Sequence, residues 1–237
     1  MKKGIILITA VLTLFSLLSC NDLKSDSNTS KTYEISEFTS LNLELIGEVF
    51  YEQSDSAYLN VSGSSILIDA LKVSDDNGTL SIEMRNKRKF TGKKKLVVKI
   101  GSPHLAKVNF ESIGTLHFKN KFIGDELSIN NKGVGEIIID DCQVEKFSLD
   151  SKSIGSIKIK GTSNMTSINS VGLGEIDASE FKSKKVKVVS EGVENLSVYA
   201  EESIDITMKG LGNINYYGNH AEVKTDISKL GKVNRIK

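Results

Sequence analysis

The sequence predicts an all-β chain wound as a parallel β-helix, a β-solenoid with turns of about twenty residues. Three observations point there. A short motif centred on glycine recurs seven times along the second half of the chain. Within each copy, aliphatic residues alternate with polar ones at period two, which is the signature of a half-buried strand. The chain also carries 19 glycines and 1 proline, a balance that allows many bends without removing the backbone donors that strand ladders need.

The repeat comes first because internal periodicity decides architecture. Its copies centre on Gly114, Gly135, Gly155, Gly174, Glu194, Gly212 and Gly231, at intervals of 21, 20, 19, 20, 18 and 19 residues. The residue before each centre is aliphatic (Ile113, Val134, Ile154, Leu173, Val193, Leu211, Leu230), the next is polar, and the one after that is aliphatic again. Position +4 reads Phe118, Ile139, Ile159, Ala178, Val198 and Tyr216 before the pattern breaks at Arg235, while −6 reads Val108, Ile129, Leu149, Ile168, Val188 and Ile206 before breaking at Thr225. The expectation is two short strands per repeat, with positions −8, −6, −1, +2 and +4 facing one core and a bend at the glycine. Stacked copies would then place like residues in ladders. Small polar residues at −4 (Asn131, Ser151, Ser170, Ser190) would bond near the bend, and Lys119, Asp140 and Lys160 at +5 would alternate in charge along the axis. An antiparallel meander is the alternative. It calls for tight Asn-Gly or Asp-Gly turns, and the one such pair, Asn77-Gly78, lies outside the repeats.

Residues before the repeats divide in two. Lys2 and Lys3 precede an uncharged, largely apolar run from Gly4 to Leu18, too short for a membrane span, and the run ends in Leu17-Leu18-Ser19-Cys20. This reads as a bacterial lipoprotein signal, residues 1–20, with Cys20 as the lipidation site and acyl chains as the link to the membrane. Residues 21–31 are polar and aperiodic and read as a flexible tether, followed by one solenoid domain over 32–237. Within it, 32–110 form irregular N-terminal turns and 111–237 the regular repeats. Gly47 fits the repeat template, and the 67 residues from it to Gly114 suggest about three turns with longer loops.

The strand pair around Gly47, the stretch Gly101-Ser102-Pro103-His104-Leu105 before Ile113-Gly114, and the later glycine copies together carry a resemblance. From about Tyr33 to Lys237 the chain resembles the auto-transporter adhesin "head GIN" domain family, common as lipoproteins in Bacteroidetes. The resemblance implies a right-handed parallel β-helix and an adhesin role. It transfers no functional residues.

Function is less determined. Lys+Arg number 31 and Asp+Glu 30, so the field that non-specific nucleic-acid binding needs is missing and no nucleic-acid partner is expected. Gly133-Val134-Gly135, Gly172-Leu173-Gly174 and Gly210-Leu211-Gly212 open no helix and read as structural bends rather than phosphate loops. His104, His117 and His220 are scattered, Cys142 has no nearby histidine, and Asp140-Asp141 faces Lys160-Gly161 on the next turn. No catalytic residue, metal ligand or cofactor site is expected from these patterns. The one strong local feature is basic: Arg85, Lys87, Arg88, Lys89, Lys93, Lys94 and Lys95, seven cations in eleven residues, suited to an anionic glycan or other polyanion. A second cluster spans Lys182 to Lys187. The reading is a non-enzymatic cell-envelope lipoprotein of the outer membrane, at the surface or the periplasmic face, acting as an adhesin or glycan-binding module. Two alternatives differ in class: a self-assembling homo-oligomer joined through open solenoid ends, and a polysaccharide lyase or hydrolase, which would need carboxylates clustered across turns.

Overall fold

The computed structural model describes residues 26–85, 94–219, 222–228 and 231–236, so Cys20 and the signal segment lie outside the described residues. Among the described residues sixteen strands and one short helix follow in order. They are β1 (Asn28–Tyr33), β2 (Ser40–Glu44), β3 (Ile46–Gln53), β4 (Tyr58–Ser64), α1 (Ser65–Asp69), β5 (Leu71–Asp76), β6 (Thr79–Met84), β7 (Leu96–Ser102), β8 (Lys107–Phe110), β9 (Ile113–Asn131), β10 (Val134–Ser151), β11 (Ile154–Ser170), β12 (Leu173–Ser190), β13 (Val193–Met208), β14 (Leu211–Tyr217), β15 (Glu222–Ile227) and β16 (Lys232–Arg235).

The repeats stack as parallel coils. Strands β9 to β14 pair in succession, and the register puts Gly114, Gly135, Gly155, Gly174, Glu194 and Gly212 directly over one another. Buried ladders run the length of the stack: Leu116, Ile137, Ile157, Ile176, Leu196 and Ile214 at +2, and Ile129, Leu149, Ile168, Val188 and Ile206 at −6. Each such side chain contributes about 1.5–3 kcal/mol by leaving water.

Three bends shape each coil, where the sequence suggested one. In β10 the inward residues are Ile137, Ile139, Cys142, Val144, Phe147, Leu149 and Ser151, so in chain order the first bend lies at the glycine, the second at Asp140-Asp141 and the third at Glu145-Lys146. The glycine bend also corrects the expected register. Alternation continues inward through the small residues at −2 (Ser112, Gly133, Gly172, Gly192, Gly210), which leaves the aliphatic residue at −1 pointing out. Position −2 has to be small because it packs on the backbone of the coil below: a Cβ at Gly172 would overlap the carbonyl oxygen of Ser153.

The N-terminal region departs from sequential stacking. β3 pairs β9 directly, with Gly47 over Gly114, and β7 lies on the other side of β3. Likewise β2 sits between β6 and β8. The coil made by β6 and β7 therefore precedes the β2–β3 coil in space although it follows it in the chain, and the 67-residue interval is not a run of three successive turns. Antiparallel pairing of β1 with β4 and of β4 with β7 covers one edge, and β5 covers the edge of β6 through a two-residue turn at Asn77-Gly78, both with positive φ. Residues Asn28–Lys31, read above as tether, belong to β1 and pair with Val61–Ser64.

Candidate functional site

The chemically suggestive residues are placed in structural settings. Cys142 is fully buried and stacks between Phe122 and Gly161 of the neighbouring coils. Burial, helped by the charge of Asp141, pushes its thiol up to about 12. A thiol held neutral is a small hydrophobe and not a nucleophile. In native buffer at pH 8 it should resist maleimide, and it should label fully in urea, with Cys142→Ala as the blank. Rapid native labelling would contradict its burial. The unfolded thiol titrates first, near 9.0, so this contribution to stability is intact below that pH and is lost as pH climbs from there toward 12.

His117, on an outward position of β9, meets Asp140 of the next coil at 2.6 Å. This pair was not foreseen, because the histidine is at +3 of one repeat and the aspartate at +5 of the next. The expected alternation of Lys119, Asp140 and Lys160 forms no ion pair within 4.0 Å among the described residues, although Lys160 is held above the ordinary lysine range by its hydrogen bond with Glu180 and, to a lesser extent, by the charge of Asp140. The second bend shifts register between Ile139 and Asp141 and between Lys158 and Lys160. Lys160 consequently reaches Glu180 at 2.8 Å, and Lys119 lies 5.3 Å from the centre of the Phe50 ring. Among the described residues no group of three or more potential metal ligands gathers. His220 lies outside the described residues.

The −4 ladder does bond near the bend. Glu194 stands where the other copies have glycine. Its carboxylate turns inward and accepts from Ser170 Oγ at 2.6 Å and Ser190 Oγ at 2.8 Å, tying two coils together. Asn131 accepts from the backbone N–H of Gly133 instead.

Two surfaces remain as candidates for binding. The first is a groove of about 380 Å³ along the third bend, crossing four coils from β9 to β12. Lys146, Lys185 and Lys187 line it with a single carboxylate, Glu126, and with Ser128, Ser148, Ser167 and Met165 between them. Among the described residues Lys146 and Lys187 have no ion-pair partner within 4.0 Å. Part of the second basic cluster thus has a built setting, since the register brings Lys185 beside Met165 and Met165 beside Lys146.

The second surface is an apolar ridge on the glycine bend. Ile113, Val134, Ile154, Leu173, Val193 and Leu211 are each 42 to 54% exposed and stand in register on consecutive coils. Ile46 extends the row at the N-terminal end.

Of the first basic run, Arg85, Lys94 and Lys95 are exposed, while Lys87, Arg88, Lys89 and Lys93 lie outside the described residues. Lys94 Nζ is 3.2 Å from Asp26. Lys95 lies just before β7, and β7 is five steps from β12 in the strand order, so the two basic clusters occupy different regions of the surface. Tyr217, at the end of β14, is half-buried.

A family model described as "Putative auto-transporter adhesin, head GIN domain" matches residues 37–219. Among solved structures, a protein described as a "putative adhesin" from Bacteroides fragilis superposes with a TM-score of 0.86 at 27% identity, covering 90% of this chain and 98% of that one. A second so named, from Parabacteroides merdae, gives 0.62 at 20% identity, with 89% and 96% covered. One described as a "Putative lipid binding protein", from Parabacteroides distasonis, gives 0.62 at 23% identity, with 89% and 97% covered. The last two bear on the fold alone. No curated protein matches the chain.

Proposed function

The chain belongs to the head GIN domain family, and from that membership we propose that it is a non-enzymatic, adhesin-type binding module of the cell envelope. In this reading a lipid on Cys20 holds it at the outer membrane, and the groove along the third bend grips an anionic glycan. The groove is the observation that carries the proposal. Three lysines against one glutamate give it a local positive field on a chain whose total charge is near zero. Its serine hydroxyls offer donors and acceptors at the spacing of successive coils, about 4.8 Å, so an extended sugar chain lying across the coils meets similar groups repeatedly. Arg85, Lys94 and Lys95, exposed in a different region of the surface, form a second basic element, and Lys94 is already engaged by Asp26.

Titration of the full chain in detergent with heparin and with neutral dextran, each at low and high salt, tests this. Heparin should bind and dextran should not, with affinity falling steeply as salt displaces the lysine contacts. Lys146→Ser, Lys185→Ser and Lys187→Ser together should weaken heparin at least about tenfold, an effect of roughly 1.4 kcal/mol. Lys94→Ser with Lys95→Ser should weaken it less. Full binding by the groove triple variant would remove the groove from the reading, and salt-insensitive binding would remove the anionic ligand.

A further inference from the structure

We propose that the apolar ridge is a lateral interface, through which two copies of this chain pack side by side with their solenoid axes parallel. The ridge is anomalous for an outer surface. Positions −3 and +1, which flank it, are mostly charged or polar, as exposed strand positions usually are: Lys152 and Glu191 on one side, Glu136 and Asn195 on the other. Position −1 between them is aliphatic in every described copy yet outside the core. Stacking within the ladder has already hidden about half of each side chain. What remains exposed is a continuous stripe, joined at its middle by Val171, which is 45% exposed. It runs about 24 Å over five steps of about 4.8 Å each. A stripe of that kind reaches the roughly 300–600 Å² at which apolar patches on monomers are often functional.

Its size and its borders select the occupant. A ridge on one bend, with its flanks, offers each of two copies an area at the low end of specific interfaces, where totals are about 1,200 Å² or less. This suits a weak, reversible pair. The stripe contains no aromatic platform for a sugar, and its flanks mix acids (Glu136, Glu175) with lysines (Lys132, Lys152) instead of presenting the single positive field that an anionic bilayer attracts. Charge then decides the orientation. When the two-fold axis runs along the ridge, the −3 flank of one copy faces the +1 flank of the other. Lys132, which stands 2.8 Å from Glu111 of its own chain, comes level with Glu136 of the partner subunit, and Lys152 lies between the partner's Glu136 and the partner's Glu175. An antiparallel pair would instead set like flanks together, with Glu136 and Glu175 against the same acids. A closed two-fold contact is also the commonest form of association. In the parallel arrangement each ridge residue meets its own counterpart, and that gives the test.

Ile113→Cys and Leu211→Cys, each introduced alone into the full chain and expressed in bacteria, should both form cross-linked dimers on mild oxidation. The parent chain, with Cys142 buried, serves as the blank. Val134→Thr, Ile154→Thr and Leu173→Thr added to Ile113→Cys keep two β-branched positions but make the ridge polar. They should reduce the cross-linked fraction at least fivefold. Lys152→Glu, an exposed change that leaves the ridge intact, should reduce it about threefold, and this variant decides the matter if the threonine variant fails to fold. No cross-link at either cysteine, or no loss with Lys152→Glu and the threonines, overturns the interface. Cross-links that form only when the Ile113→Cys and Leu211→Cys chains are co-expressed overturn the parallel geometry. Because none of these residues lines the groove, heparin binding reports separately on the proposal above.

Discussion

Gly155→Val should sharply destabilise the solenoid. Gly155 sits in the middle of the glycine stack with φ +143°, a region that residues with a side chain rarely enter. A Cβ there would overlap the carbonyl oxygen of Gly135 in the coil below. The strained dihedral costs about 1–3 kcal/mol and the overlap a similar amount, so the expected loss is roughly 2–6 kcal/mol. The parallel ladder cannot relax locally, because Gly155 is paired with Gly135 on one side and Gly174 on the other. Glu194 supplies the internal comparison. It occupies the same stack without a positive φ, and its side chain finds two serine hydroxyls inside the coil. The stack thus admits a side chain only where the backbone and the interior have been refitted together. Urea denaturation followed by circular dichroism would measure the difference, with Ser156→Val as the neighbouring control. A midpoint for Gly155→Val close to that of the control would mean that the glycines are not what lets the coils approach.

The architecture was readable because a solenoid repeats its instructions. Seven copies of one motif, at spacings that differ by at most three residues, state the stacking direction and the coil length before any contact is known. What a single repeat could not state is how the coil is bent. Period two places −8 and −6 inside, and an aliphatic residue at −1 suggests burial there too. Continued alternation would have passed through the serines and Asn131 at −4 and through the glycines and serines at −2. Those small residues were the available signal, because an inward strand position against neighbouring backbone has room for little else. The N-terminal coils were not readable, since chain order and spatial order part company there. β2 pairs with two strands that are 39 and 67 residues away by register, and a local pattern carries no information on which comes first. The groove was half visible: Lys182 to Lys187 stood out as a charge cluster, but Lys146 joins Lys185 only through the register of three coils. The two candidate surfaces are consequences of stacking, which is why composition and motifs did not announce them.

Ile157→Asp and Ile154→Asp should behave oppositely, although they are three residues apart and equally aliphatic. Ile157 is 3% exposed, in the +2 ladder between Ile137 and Ile176. A carboxylate there has no cation within the core, so it is either buried at high cost or drives the coil open. Even the protonated acid, lacking a hydrogen-bond partner, costs about 2–7 kcal/mol, and the lost apolar burial adds about 1.5–3 kcal/mol. Against a total stability of about 5–15 kcal/mol, this variant should be unfolded or close to it. Ile154 is 54% exposed on the ridge. An aspartate at that site stays hydrated and forfeits only part of a ladder contact, so the urea midpoint should move by the equivalent of about 0.5–1 kcal/mol. The pair separates two registers that the sequence alone left together. If position −1 faced the core, both variants would unfold, and if +2 faced solvent, neither would. A folded Ile154→Asp protein is useful beyond this comparison, because it places a charge at the centre of the proposed interface. Its cross-linking yield at Ile113→Cys should fall while its fold persists, which sets the ridge's role in association apart from any role in stability.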